Sequence, residues 1–219
     1  MSNLVKVRLY FYFVGILVLS LGLTLSVYSQ LGASPMPSLL VGMQQLFGLT
    51  VGSWEVIIGA CLLVIISLVR RTRLDILAFF TSFIAGVAID LWMYIIKQIY
   101  IPDLLLGKIL YIIFGLVFIG IGVAMYLQSK FSPSPPDAMM LLIHEYMKLK
   151  LSTSRTLFSV IIVVSAYLIG GPIGIGTWIM VFGMGPVIGY FYPSMEKYFK
   201  KLSDSVQPLD DEKDLRQGH

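Results

Sequence analysis

Apolar residues run in long blocks along this chain, and the charged positions between them are few and clustered. No charge occurs between Arg8 and Glu55, between Lys108 and Lys130, or between Arg155 and Glu196. A helix needs about 20 mostly apolar residues to cross a bilayer, so each gap holds at least one span. The pattern predicts six, over roughly 8–28, 54–70, 74–96, 109–128, 155–170 and 174–192. The fifth is short and ends at Gly170-Gly171-Pro172, a turn signal into the sixth. The first follows a basic N-terminus and runs without a small-residue cleavage site, so it is expected to be retained.

Two further segments have their own pattern. Ser34-Pro35-Met36-Pro37-Ser38 and Ser134-Pro135-Pro136-Asp137 each open a short stretch, the second carrying His144, Glu145, Lys148 and Lys150. Serine at an N-cap and proline at the first helical position predict a short helix from each. The serine oxygen is expected to accept a free backbone N–H. Both helices are expected to be interfacial or re-entrant.

Charge then orients the spans. With six spans and a cytoplasmic N-terminus, fourteen of the 16 Lys and Arg residues fall inside, and only Lys97 and Lys108 fall outside. Arg155 is counted with the inner group. Cytoplasmic loops carry the basic excess in membrane proteins. Eight spans would move Arg70-Arg71-Thr72-Arg73 outside, so the six-span arrangement is preferred, with both termini cytoplasmic. The end of the chain from Ser203 is polar and is expected to lack structure.

The two halves match at an offset of 100. Gly15 repeats as Gly115, Gly22 as Gly122, Ser29 as Ser129, and Ser34-Pro35 as Ser134-Pro135. Three spans per half would make the second half enter from the opposite side. The expected organisation is a first three-helix repeat over 1–98, an outer linker over 99–107, a second repeat over 108–195, and a polar cytoplasmic tail over 196–219. The expected fold class is thus an all-α polytopic membrane protein of six transmembrane helices, built as two inverted three-helix repeats. Inverted repeats are frequent in secondary transporters, where mirrored halves open alternately to either side.

Composition agrees. Hydrophobic residues make up 57% of the chain and charged residues 13%, with a mean hydropathy of +0.85. A soluble domain carries about 25% charged residues to wet its surface, so the expected solvent is the lipid bilayer. The net charge of +4 is then a matter of topology, not of nucleic-acid binding. The single Cys61 excludes an intramolecular disulfide.

These residues resemble a known group. Leu21-Gly22-Leu23, Leu31-Gly32-Ala33-Ser34-Pro35, Gly48-Leu49-Thr50-Val51-Gly52, Gly86-Val87-Ala88-Ile89-Asp90, Gly174-Ile175-Gly176-Thr177 and Gly185-Pro186-Val187-Ile188-Gly189 are similar to motifs of the YczE/YyaS/YitT bacterial multi-pass membrane proteins. The resemblance covers about residues 8 to 195 and implies a bacterial cytoplasmic-membrane location. Members often carry Ser-Pro-x-Asp after the first helix. Asp137 keeps that acid in the second half, and Pro37 replaces it in the first.

Ionisable residues within spans are costly and mark candidate sites. Glu55 and Asp90 are expected on the same, outer side, sharing a vestibule with Gln30 and Ser34, and Asp90 is expected to face the bundle. Ser134 and Asp137 are the inner counterparts. Thr177 belongs to the glycine-rich opening of the sixth span, which either packs closely or breaks to line a path. Asp75 is expected to favour a helix N-terminus. No nucleophile–base, paired-carboxylate, metal-ligand or dinucleotide pattern occurs in the sequence, so neither an enzyme nor a cofactor is expected. The expected function is transport of a small molecule or ion, or an accessory role in export. The alternative is a regulatory or assembly protein that transports nothing.

Overall fold

The computed structural model describes residues 3–217 and, among these, the side chains of all but 151–152 and 206–217. The described chain forms eight helices in two series: α1 (Asn3–Tyr28), α2 (Pro35–Phe47), α3 (Val51–Arg70) and α4 (Ile76–Ile99), then α5 (Leu105–Gln128), α6 (Pro135–Met147), α7 (Leu151–Leu168) and α8 (Ile175–Gln217). There is no strand among the described residues.

The exterior is unlike that of a soluble protein. Large apolar side chains face outward, with Leu68 72% and Tyr94 67% exposed, while Ser20, Thr24, Ser26 and Ser82 are fully buried. Such an apolar exterior is stable only against lipid. The buried hydroxyls bond to backbone carbonyls, Thr24 Oγ1 to Ser20 O at 2.9 Å and Ser26 Oγ to Leu23 O at 2.6 Å within their own helix, and Ser20 Oγ to Ala85 O at 3.5 Å and Ser82 Oγ to Glu55 O at 3.3 Å across helices. That leaves few polar groups orphaned in a dry interior.

The central contact pairs α1 with α5. Gly15 lies against Gly122, and Gly22 against Gly115, so the two helices run antiparallel. A Cβ on Gly22 would come within 2.6 Å of the Gly115 carbonyl oxygen. Only glycine permits this approach, and small residues let membrane helices gain backbone van der Waals contact. The flanks of this pair match in detail. Ser29 Oγ and Ser129 Oγ each cap the end of their helix, donating to Ser26 O and Tyr126 O and accepting from Leu31 N and Phe131 N. Gln30 and Lys130 both take φ 57°.

α2 and α6 are half-length helices of 13 residues each. Pro135, at the start of α6, packs on Gly59 near the middle of α3. Further along α6, Glu145 pairs with Arg70 at 2.6 Å, and Tyr146 donates to Val69 O at 3.0 Å. α6 therefore follows the second half of α3, with its N-terminus at mid-helix depth. α2 packs on α3 and α7. Its lead-in is stitched to the α7–α8 turn by Ala33 N to Pro172 O at 3.0 Å and Gly176 N to Leu31 O at 2.8 Å.

Five helices, α1, α3, α4, α5 and α8, are long and apolar enough to cross a membrane, and among the described residues α7 carries a shorter apolar stretch, Thr153–Leu168. Two expectations are corrected. α3 begins at Val51, before the expected 54, because the Thr50 side chain caps it by accepting from Ser53 N at 3.0 Å. The polar end expected to lack structure continues α8 to Gln217. A helix already nucleated by packed turns extends without a second nucleation cost, gaining about one hydrogen bond per residue fixed.

Candidate functional site

The N-termini of α2 and α6 converge on one cavity of about 110 Å³. Ser34, Glu55, Ser134 and Asp137 all line it, together with Tyr126 and Arg155. Its walls are otherwise mostly carbon, from Leu19 and Leu23 of α1, Val123 of α5, Met140 of α6, and Phe158 and Ile162 of α7.

The charged centre lies on the α6 side. Arg155 donates to Asp137 Oδ1 at 3.0 Å, and the pair is largely buried, with side-chain exposures of 20% and 15%. Asp137 Oδ2 accepts from Ser134 Oγ at 2.8 Å and from the Tyr126 hydroxyl. Asp137 thus serves as the hub joining α5, α6 and α7. Ser134 does not cap α6 as expected, since its hydroxyl is turned to Asp137.

The α2 side has the same backbone without this network. Ser34 is 1% exposed, makes no side-chain cap, and its Oγ has no hydrogen-bond partner. The expectation that both serines accept free N–H groups is therefore overturned in both halves. Proline explains part of this. Pro35 and Pro37 carry no N–H, and the Ser38 N–H already bonds to Ser34 O at 2.9 Å. Little is left for the hydroxyl to receive.

Glu55 is buried at 6% exposure in the second turn of α3. Its backbone carbonyl accepts from Ser82 Oγ at 3.3 Å. Among the described residues no group donates a hydrogen bond to its carboxylate, and Asp137 lines the same cavity.

The remaining expected site residues lie outside this cavity. Asp90 is half-buried, and its carboxylate accepts from Gly52 N at 2.8 Å, so it braces the start of α3. Gln30 is exposed at the turn after α1. Thr177 is buried and accepts from Gly174 N at 3.2 Å, capping the start of α8. Asp75 caps α4 by accepting from Ala78 N at 3.1 Å.

Sequence reasoning missed Tyr126 and Arg155. Arg155 begins a charge-free run and could have been read as intramembrane, but Lys148 and Lys150 nearby drew it into the inner surface group. No sequence signal distinguishes Tyr126 from the other tyrosines. No group of three or more His, Cys, Asp or Glu among the described residues is arranged to hold a metal ion.

Comparison with known proteins places the chain in a family. Residues 6–193 match the family of unknown function DUF6198. The chain is 42% identical to the uncharacterized protein YyaS of Bacillus subtilis (strain 168) over 189 residues, 86% of this chain and 94% of that one. It is 32% identical to the uncharacterized membrane protein YczE of the same organism over 194 residues, covering 88% and 89%. No solved structure matches. The chain is a helical membrane protein that belongs to the DUF6198 family and is similar to YyaS and YczE.

Proposed function

We propose that this protein is a transporter of a small molecule or ion in the bacterial cytoplasmic membrane, gated by two inverted repeats of three spans and one re-entrant helix. The carrying observation is that a single cavity is lined from both halves, by Ser34 and Glu55 on one side and by Ser134, Asp137 and Arg155 on the other. Transporters of inverted-repeat architecture bind their cargo where broken helices meet near mid-membrane.

The repeat reading is supported by the reciprocal glycine contacts. Gly15 on Gly122 and Gly22 on Gly115 are exchanged by the 100-residue offset, as a two-fold axis between α1 and α5 requires. α7 counts as the sixth span in this reading, although it is short. Orientation is supported by the contacts of α6 with α3, which gather Arg70, Arg71, Arg73, Lys148 and Lys150 at one end of the bundle. That end is the cytoplasmic one under the basic-inside rule. We extend the kinship to the YitT proteins on the glycine motifs alone. The reading assigns no catalytic step and no cofactor.

The test is solute flux into proteoliposomes across a metabolite and ion panel, with Ser34→Phe as the cavity-filling variant. The expected result is solute-dependent uptake by the wild type and its loss in the folded variant. Absence of flux for every solute would overturn transport and favour the regulatory or assembly role.

A further inference from the structure

We propose that the cavity takes a small organic monocation, a protonated amine carried on an apolar body about the size of one ring. The inference deepens the transport reading and rests on it for the claim that this ligand is cargo.

Charge in the cavity is unbalanced. Arg155 is committed to Asp137 at 3.0 Å, and Asp137 is further occupied by the Ser134 and Tyr126 hydroxyls. This leaves Glu55, an acid at 6% exposure whose carboxylate has no donor among the described residues. A buried acid without a partner is costly, and a cationic ligand would supply both counter-charge and hydrogen bonds. Ser34 Oγ, buried and unpartnered on the same cavity, offers a second acceptor.

An anion fits poorly, although two helix N-termini point here. Such termini bind anions through free N–H groups. Pro35 and Pro37 remove two donors from the first turn of α2, and Pro135 and Pro136 remove two from α6. A bare metal ion also fits poorly, because hard cations take six or more oxygen ligands and these walls are mostly carbon. The volume of about 110 Å³ is of the order of a cavity that holds benzene, ~150 Å³.

Three probes of nearly equal shape separate the possibilities: benzylammonium, benzyl alcohol and benzoate. Binding to the full-length detergent-purified chain is measured by calorimetry at neutral pH, with sodium chloride as a fourth titrant. The expected result is benzylammonium binding about tenfold or more tighter than the alcohol, the scale of one charge-assisted hydrogen bond. Benzoate should be weaker than both. Glu55→Gln should erase the preference, and Glu55→Asp should keep part of it. Equal or tighter binding of alcohol or benzoate, binding of sodium in place of the amine, or no heat from any probe overturns the inference. The comparison among probes stands on the wild type, so a misfolded variant does not block it. Flux in proteoliposomes reports the transport reading separately. Benzoate preference with flux removes only the monocation, and amine binding without flux removes only transport.

Discussion

Removing Arg155 should damage this protein more than removing its partner. In Arg155→Met the guanidinium is lost, and Asp137 keeps only the Ser134 and Tyr126 hydroxyls while Glu55 remains in the same cavity. Two carboxylates then share a largely buried space with no cation. Breaking a buried pair by removing one partner costs about 3–5 kcal/mol. The 20% and 15% side-chain exposures of this pair argue for the lower end, about 3 kcal/mol. In Asp137→Asn, Arg155 stays charged but Glu55 remains in the cavity as a counter-charge, so the cost should be nearer 1 kcal/mol, that of one hydrogen bond to a charged group partly replaced. Thermal unfolding of the purified protein in detergent reads the difference. For a chain of this size each kcal/mol shifts the midpoint by about 2–4 °C, so Arg155→Met should melt about 6–12 °C lower and Asp137→Asn about 2–4 °C lower. The double variant should recover most of the larger loss, because it removes the stranded charge at Asp137. The reasoning is refuted if Asp137→Asn melts at or below Arg155→Met, since that order means Glu55 does not share the charge balance of the site.

Three other outcomes test the scaffold. Gly22→Leu should destabilise by about 3 kcal/mol, the upper end for overpacking, because its Cβ meets the Gly115 backbone; Gly185→Ala, with no atom within 4 Å of its Cβ, is the control, and equal melting temperatures would count against the α1–α5 packing. Single cysteines at the exposed Gln30 and Lys130, in a Cys61→Ser background, should react with impermeant maleimide from outside and inside respectively; reaction of both from one side would end the inverted arrangement. Asp90→Ala should cost about 1 kcal/mol as a lost cap of α3 and leave benzylammonium affinity unchanged, whereas an affinity change would return Asp90 to the binding site.

The fold was legible wherever backbone physics writes directly into sequence. Long charge-free runs marked helices, and Ser-Pro pairs marked the half-length ones, because proline is tolerated in a first turn and disfavoured within a helix. The start of α3 was less legible, since a threonine cap four residues ahead of Trp54 looks like any loop threonine. The site was only half legible. Glu55, Ser34, Ser134 and Asp137 were visible as polar groups in apolar surroundings, but their meeting depends on α6 lying along α3 and α2 along α7, contacts between residues far apart in the chain. The same long-range packing turned Asp90 into a brace for Gly52 and brought Arg155 from the expected inner surface to the cavity.

The two halves share a scaffold but not a chemistry. Ser29 and Ser129 close their helices in the same way, and Ser34 and Ser134 begin 13-residue helices with the same carbonyl-to-N–H bond, to Ser38 and Ala138. Position 137 carries an acid that organises Ser134, Tyr126 and Arg155, while position 37 carries a proline that can organise nothing. The counterpart of Arg155 at the 100-residue offset is Glu55, the partnerless acid. Where one half places a guanidinium bound to its own carboxylate, the other places a buried carboxylate and a serine hydroxyl with no hydrogen-bond partner among the described residues. On the transport reading proposed above, the two matched halves serve as two gates, and the unequal residues at their meeting point give the cavity a direction, with one wall already neutral and the other completed by the proposed cation.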